Sequence, residues 1–368
     1  MNEIVGKLQR MQESLIDYLD DETNSELKFQ YLSETFEDIK IGDDKYVLTL
    51  LLHLLAKISN NHHRYHNFFS KIEQVLRFFK DNIKKYYSNS EFFHIFKDNK
   101  RILLFLIEEE MIIIEKNIAK EISTNDKYLQ AKYPEYFRPE IQPFINESWF
   151  PKNVDFSEEI PTNFNELRKI GENDGYLYDL IQKDLVKDFI SYISRSNYAL
   201  KSFCMPSIYE TNQFLLKKQK VTLIEYAAFF GSIQIFQFLH KSGVQLTQSL
   251  WFYAIHSDNA DLIHFLEENN MKPEGLNLNK LISESMKCHH NNIANYFQNN
   301  YGGEITLISS LKYYNFAFLE SDMLNKKSFI DFCKYDYYQL VYFFLKKANI
   351  DINQKQINSI IFFNIVSN

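Results

Sequence analysis

One block of this chain restricts its fold more than any other stretch. Residues Thr222–Leu246, TLIEYAAFFGSIQIFQFLHKSGVQL, read as two short helices joined by a tight turn. Thr222 followed three residues later by Glu225 is a capping box, whose hydroxyl and carboxylate satisfy backbone amides left over at a helix start. Ala227 and Ala228 are small enough for a neighbouring helix to approach closely. Gly231 and Gly243 stand where a helix ends in left-handed backbone, which glycine adopts without a steric cost. Ile233, Phe236 and Leu239 supply the apolar stripe of the second helix.

The Ala227 position recurs in weaker form at Ala254, Ser285, Ser310 and Phe332. Four residues after each comes the expected turn: Gly231, Asp258, His289, Tyr314 and Asp336. Eight residues after each comes an apolar side chain: Ile235, Leu262, Ile293, Phe318 and Leu340. Asp and His tolerate left-handed backbone better than most residues, whereas Tyr314 would be strained there. Self-similarity of this kind implies pairs that cannot bury an apolar face alone and must stack on their neighbours.

From Thr222 to Met271 the block resembles the ankyrin repeat position by position, and Asn349–Asn353, NIDIN, resembles the hairpin that follows an ankyrin helix pair. Copies are spaced 27, 31, 25 and 22 residues apart where the family uses about 33, so the hairpin fingers are expected to be short or missing. Upstream, Leu177, Leu180, Ile181, Val186, Phe189 and Tyr192 look like one more helix pair, and Phe93–Met111 carries a similar pattern. The layout resembles an expanded family of degenerate ankyrin proteins of parasitic protists, with a helical N-terminal region before the repeats. That resemblance implies a binding scaffold without chemistry of its own.

Elsewhere the chain also reads as helical. Apolar residues recur at helical spacing at Ile4, Leu8, Met11, Leu15 and Leu19, at Leu32, Phe36 and Ile39, and at Val47, Leu50, Leu51, Leu54 and Leu55. No segment alternates for long enough to predict a strand, so the expected class is all-α. Pro134, Pro139, Pro143, Pro151 and Pro161, five of the seven prolines, fall in one stretch. The expected division is therefore a helical region 1–121, a connecting segment 122–175 and a repeat array 176–368. With 16% aromatic residues the 368-residue chain should fold, since disordered chains are poor in large side chains. A net charge of -7 disfavours nucleic acid and anionic surfaces as partners. No stretch reaches the roughly 18 apolar residues of a membrane span, and MNEIVGKLQR is too polar for a signal peptide. Cys204, Cys288 and Cys333, widely separated and odd in number, suit free thiols, so an intracellular, cytoplasmic protein is expected.

Candidate sites divide into weak chemistry and one plausible surface. His62, His63 and His66 could share a metal, but no cysteine or acidic residue follows nearby in sequence, and a solvated turn is the better reading. Cys288-His289-His290 sits at a repeat turn, where adjacent donors need distant help to chelate an ion. The acidic runs Asp20-Asp21-Glu22 and Glu108-Glu109-Glu110 read as solvated faces. There is no Gly-rich phosphate loop, GxSxG, HExxH or CxxC, and the Asn146-Glu147-Ser148 sequon has no expected role inside a cell. No catalytic residue, cofactor or metal is therefore expected.

A stacked array should expose the last two residues of each first helix. These read Phe229, His256, Lys287, Lys312 and Lys334 at the first position, and Phe230, Ser257, Cys288, Tyr313 and Tyr335 at the second. The expected function is a non-catalytic adaptor that binds a protein or peptide with an apolar anchor and an acidic tail. Two rivals stand beside it: an enzyme or effector activity in the N-terminal region targeted by the repeats, and RNA reading by the lysine ladder.

Overall fold

The computed structural model describes residues 1–347 except 24–25, 65–66, 153, 155, 157–158, 206, 219, 274–275 and 321–322, so Asn349–Asn353 and His66 lie outside the described residues. Helices dominate, with one isolated bridge between Phe203 and Thr222 and no strand among the described residues. The all-α expectation holds. None of the described helices is long and apolar enough to cross a membrane.

Two compact units divide the chain: Met1–Glu91 together with the residues from Leu278 onward, and Phe92–Asn277. The boundaries expected at 121/122 and 175/176 both fall inside the second unit.

In the second unit the predicted block forms as read. Helix Leu223–Phe229 starts on the Thr222–Glu225 capping box and is followed by Ile233–Lys241. Next comes the pair Leu250–Ser257 and Ala260–Glu268, the latter capped by Asn259. Tyr176–Gln182 and Val186–Ser196 form the pair expected upstream, and the three first helices pack in succession. The connecting segment is not a bare linker. Pro134, Pro139 and Pro143 each open a short helical turn, where a missing amide proton costs nothing. Tyr128, Tyr133, Tyr136, Phe137 and Ile141 are buried there, and the ammonium of Lys100 lies 5.5 and 5.1 Å from the ring centres of Tyr133 and Tyr136 and donates to the carbonyls of Ile208 and Glu210 at 3.1 Å each.

All five predicted turn residues have left-handed backbone: Gly231 at φ 69°, Asp258 at 51°, His289 at 61°, Tyr314 at 54° and Asp336 at 61°. In four of them the next amide donates to the carbonyl of the frame residue: Ser232 to Ala227, His290 to Ser285, Asn315 to Ser310 and Tyr337 to Phe332, at 2.9–3.0 Å. This six-residue closure satisfies carbonyls that a helix end otherwise leaves open. Asp184 (φ 50°) and Glu110 (φ 53°) close the same way, with Leu185 donating to Leu180 and Met111 to Leu106. The motif therefore extends to both upstream segments.

Two substitutions probe this register. Ala228 is fully buried, so Ala228→Leu should cost about 1–3 kcal/mol by forcing packed helices apart. Gly231→Val combines a φ of 69° with a Cβ only 3.2 Å from Asn259 Nδ2 and should cost a similar amount, about 1–3 kcal/mol, because a β-branched residue is strained in left-handed backbone. Urea melts of both variants check the register, and parent-like midpoints would refute it.

The first unit joins the two ends of the chain. Helix Asn2–Leu19 buries Val5, Leu8, Met11, Leu15 and Leu19, with Val5 taking the buried place expected for Ile4. Helix Lys45–Asn61, capped by Asp44, buries Leu48, Leu52 and Ile58 as well as the predicted face. It is covered on several sides, packing against Leu278–Cys288 and Tyr338–Lys347. Lys71, almost fully buried, donates to the carbonyls of Tyr18 at 2.9 Å, Leu19 at 3.3 Å and Asp21, closing the end of the first helix with a cation.

The repeats here are uneven. Leu278–Cys288 pairs with Asn291–Tyr301, and Phe329–Lys334 with Tyr338–Lys347. After Leu307–Tyr313, however, the second helix shrinks to a single 3-10 turn, Phe316–Phe318, which packs on helix Asn2–Leu19. Left-handed Tyr314 is held by stacking: its ring lies 4.8 Å from His53 and 5.6 Å from Tyr337, both near parallel, and its hydroxyl donates to the Tyr335 carbonyl at 3.1 Å. Burial, with Lys57 nearby, holds the pKa of His53 down at about 3, so a neutral ring meets the tyrosine.

Candidate protein-binding surface

The first helices of the first unit, Leu278–Cys288, Leu307–Tyr313 and Phe329–Lys334, pack in succession and carry their last residues at equivalent places before each turn. Lys312 and Lys334 are exposed, and each ammonium lies 5.2 Å from the ring centre of the following residue, Tyr313 or Tyr335. Both tyrosines are half-buried, and Tyr313 also accepts a hydrogen bond from Ser283 at 3.2 Å. The result is a repeated unit: an exposed cation over the face of a half-buried aromatic ring.

Lys287 stands at the same register but differs. It is half-buried and pairs with Glu284 at 2.7 Å. Burial opposes its charge, but Glu284 and neighbouring groups more than compensate and raise its pKa. The lysine ladder is therefore two free rungs and one already neutralised. Cys288 is fully buried, so its expected place on the surface is corrected: its side chain points into the core of the unit.

In the second unit the expected aromatic head is also corrected. Phe229 and His256 are buried, 8% and 2% exposed, because Phe214 lies over them. Its ring stacks on Phe229 at 6.0 Å and sits 4.1 Å from His256 and 5.0 Å from Tyr253. Phe214 belongs to a short helix, Gln213–Leu216, that starts on the Asn212 side chain. Stacking logic alone could not foresee this cover. Phe230 remains half-buried against Tyr226, and the Ser257 hydroxyl donates to the Ala254 carbonyl at 2.9 Å.

The second unit also holds a cavity of about 600 Å³ lined in part by Lys127, Lys132, Cys204, Glu210 and Tyr226. Burial, with Glu225 and Glu210 adding to it, pushes the Cys204 thiol well above its usual range. It is thus protonated at neutral pH and a poor nucleophile.

One group was missed by reading the sequence. The sequence sets His62-His63 and His290 at two separate turns, and the structure brings them together in the first unit, beside Asp20 from an acidic run expected to be solvated. No family model, curated protein or solved structure matches this chain.

Proposed function

We propose that this chain is a non-catalytic adaptor that holds an acidic segment of a protein partner on its array of helix pairs, in the manner of ankyrin-type repeats. The observation that carries this reading is the repeated Lys312–Tyr313 and Lys334–Tyr335 unit, presented at one register on consecutive packed helices. A carboxylate can pair with each ammonium while an apolar side chain packs on the tyrosine edge, so two turns of an acidic peptide can be read at once. The five left-handed turns in one register support the repeat reading, since they make the helix ends equivalent.

The test uses the full chain against arrays of labelled Asp/Glu-rich peptides with interspersed aromatics. The Lys312→Glu/Lys334→Glu pair should weaken binding about tenfold or more, mainly through a slower association rate that is steepest at low salt. Exposed positions of this kind carry little stability, so the melt should stay parent-like, within about 0.5 kcal/mol. Equal binding by parent and double variant at low salt would refute the surface. Capture that is lost on nuclease treatment would assign it to RNA.

A further inference from the structure

His62 and His63 follow the Lys45–Asn61 helix, and His290 opens the Asn291–Tyr301 helix directly after left-handed His289. All three are nearly buried, and their ring centres lie 4.2, 4.9 and 5.0 Å apart. One ligand nitrogen from each falls within 4.8 Å of the others. Asp20, at the end of helix Asn2–Leu19, brings Oδ1 to 2.8 Å from His62 Nε2 and 3.6 Å from His63 Nε2. His63 Nδ1 and His290 Nε2 are 2.8 Å apart.

The chemistry of His62 is the informative part. Its Nδ1 is 2.7 Å from the Cys288 carbonyl, which can only accept, so Nδ1 carries a proton. A metal-ligating histidine is oriented by just such a hydrogen bond from its other nitrogen. On the opposite side Nε2 faces a carboxylate oxygen at 2.8 Å, and two acceptors at that distance need a cation between them, either a second proton or a metal ion. Zinc bound at 2.0–2.1 Å in a tetrahedron sets its ligands about 3.3 Å apart. Taking Nε2 as the ligand atom of both His62 and His63, Asp20 Oδ1 lies 2.8 and 3.6 Å from them, on either side of that edge; His290 Nε2 stands 2.8 Å from the other nitrogen of His63, Nδ1, so the His290 ring has to turn toward Nε2 to complete the tetrahedron. Three imidazoles and one carboxylate suit zinc, and calcium or magnesium would demand oxygen ligands throughout.

We propose that Asp20, His62, His63 and His290 form a closed four-ligand zinc site that clamps the N-terminal helices to the C-terminal repeats within the first unit. With no position left for substrate, its role is structural. His63 and His290 are 227 residues apart, so the ion ties down a long stretch of chain.

The full chain, stripped with a chelator and desalted, is titrated with Zn²⁺ and with Co²⁺. One Zn²⁺ per chain, a raised Tm and the visible absorption of tetrahedral Co²⁺ are expected. His290→Gln and Asp20→Asn should each weaken Zn²⁺ binding at least 10- to 100-fold, while His264→Gln, at an exposed histidine in the second unit, should bind as the parent does. Asp20 is about one-third exposed, so Asp20→Asn should keep the parental circular dichroism and decides the matter if His290→Gln fails to fold. Less than one ion per chain, an octahedral Co²⁺ spectrum, or parental affinity in Asp20→Asn would overturn the site.

Discussion

Glu140→Ala is expected to lower the unfolding free energy by about 3–5 kcal/mol, the cost of leaving a buried cation without its counter-charge. Arg168, 4% exposed, donates from Nη1 to both Glu140 oxygens, at 2.9 and 2.8 Å. The same Nη1 also lies 3.1 Å from the Tyr136 carbonyl, Nη2 donates to Asn165 Oδ1 at 2.6 Å, and the guanidinium lies 4.9 Å from the Phe164 ring centre. Removing the carboxylate leaves those contacts in place but strips the charge that offsets desolvation. Combining Glu140→Leu with Arg168→Met should cost less than Glu140→Leu alone, since an apolar pair of similar volume removes the buried charge as well. Urea melts of the three variants measure this, and a double variant no more stable than Glu140→Leu would show that the pair acts only through packing.

Asn315→Leu should cost about 1–3 kcal/mol, because it leaves the buried Gln12 amide without its acceptor, while the Met286 carbonyl keeps the His289 amide. Asn315 is fully buried and donates to the Met286 carbonyl at 2.9 Å and Asn291 Oδ1 at 2.7 Å, while its own oxygen accepts from Gln12 Nε2 at 2.9 Å. Gln12 in turn accepts from the Phe316 amide. The side chain following the fourth turn thus holds the first helix of the chain. A cycle with Gln12→Leu tests the coupling: the double variant should cost clearly less than the sum of the singles, as one change already orphans the other group. Strict additivity would mean that the two amides do not act together.

Turn chemistry made much of this fold legible. Gly231, Asp258 and His289 suit left-handed backbone by residue type, and the register carried the prediction on to Tyr314 and Asp336. Tyr314 shows where local reasoning stops. Its strain is real as a local property, and of the two rings that offset it, Tyr337 comes from the next turn while His53 comes from a helix more than 250 residues earlier. Likewise, prolines 134, 139 and 143 read as a linker by composition, yet each opens a short helical turn, and Tyr133, Tyr136 and Ile141 of the first two are buried.

The candidate sites divide along the same line. Lys312 and Lys334 sit at exposed helix ends as expected, since exposure at a helix end before a turn follows from helix geometry within one pair. Phe229 and His256 were misplaced because Phe214, from outside the repeat frame, covers them.

By itself, the sequence determined the helices, their caps and the positions of the left-handed turns, because these depend on bonds within about six residues of one another. Only the tertiary structure decided that helix Asn2–Leu19 packs on Phe316–Phe318, that Lys45–Asn61 is buried by the C-terminal repeats, and that Asp20 meets His62, His63 and His290. Those contacts join residues some 300 and 230 positions apart, and which distant apolar faces meet is set by the shape of the whole core, a quantity that no local period encodes.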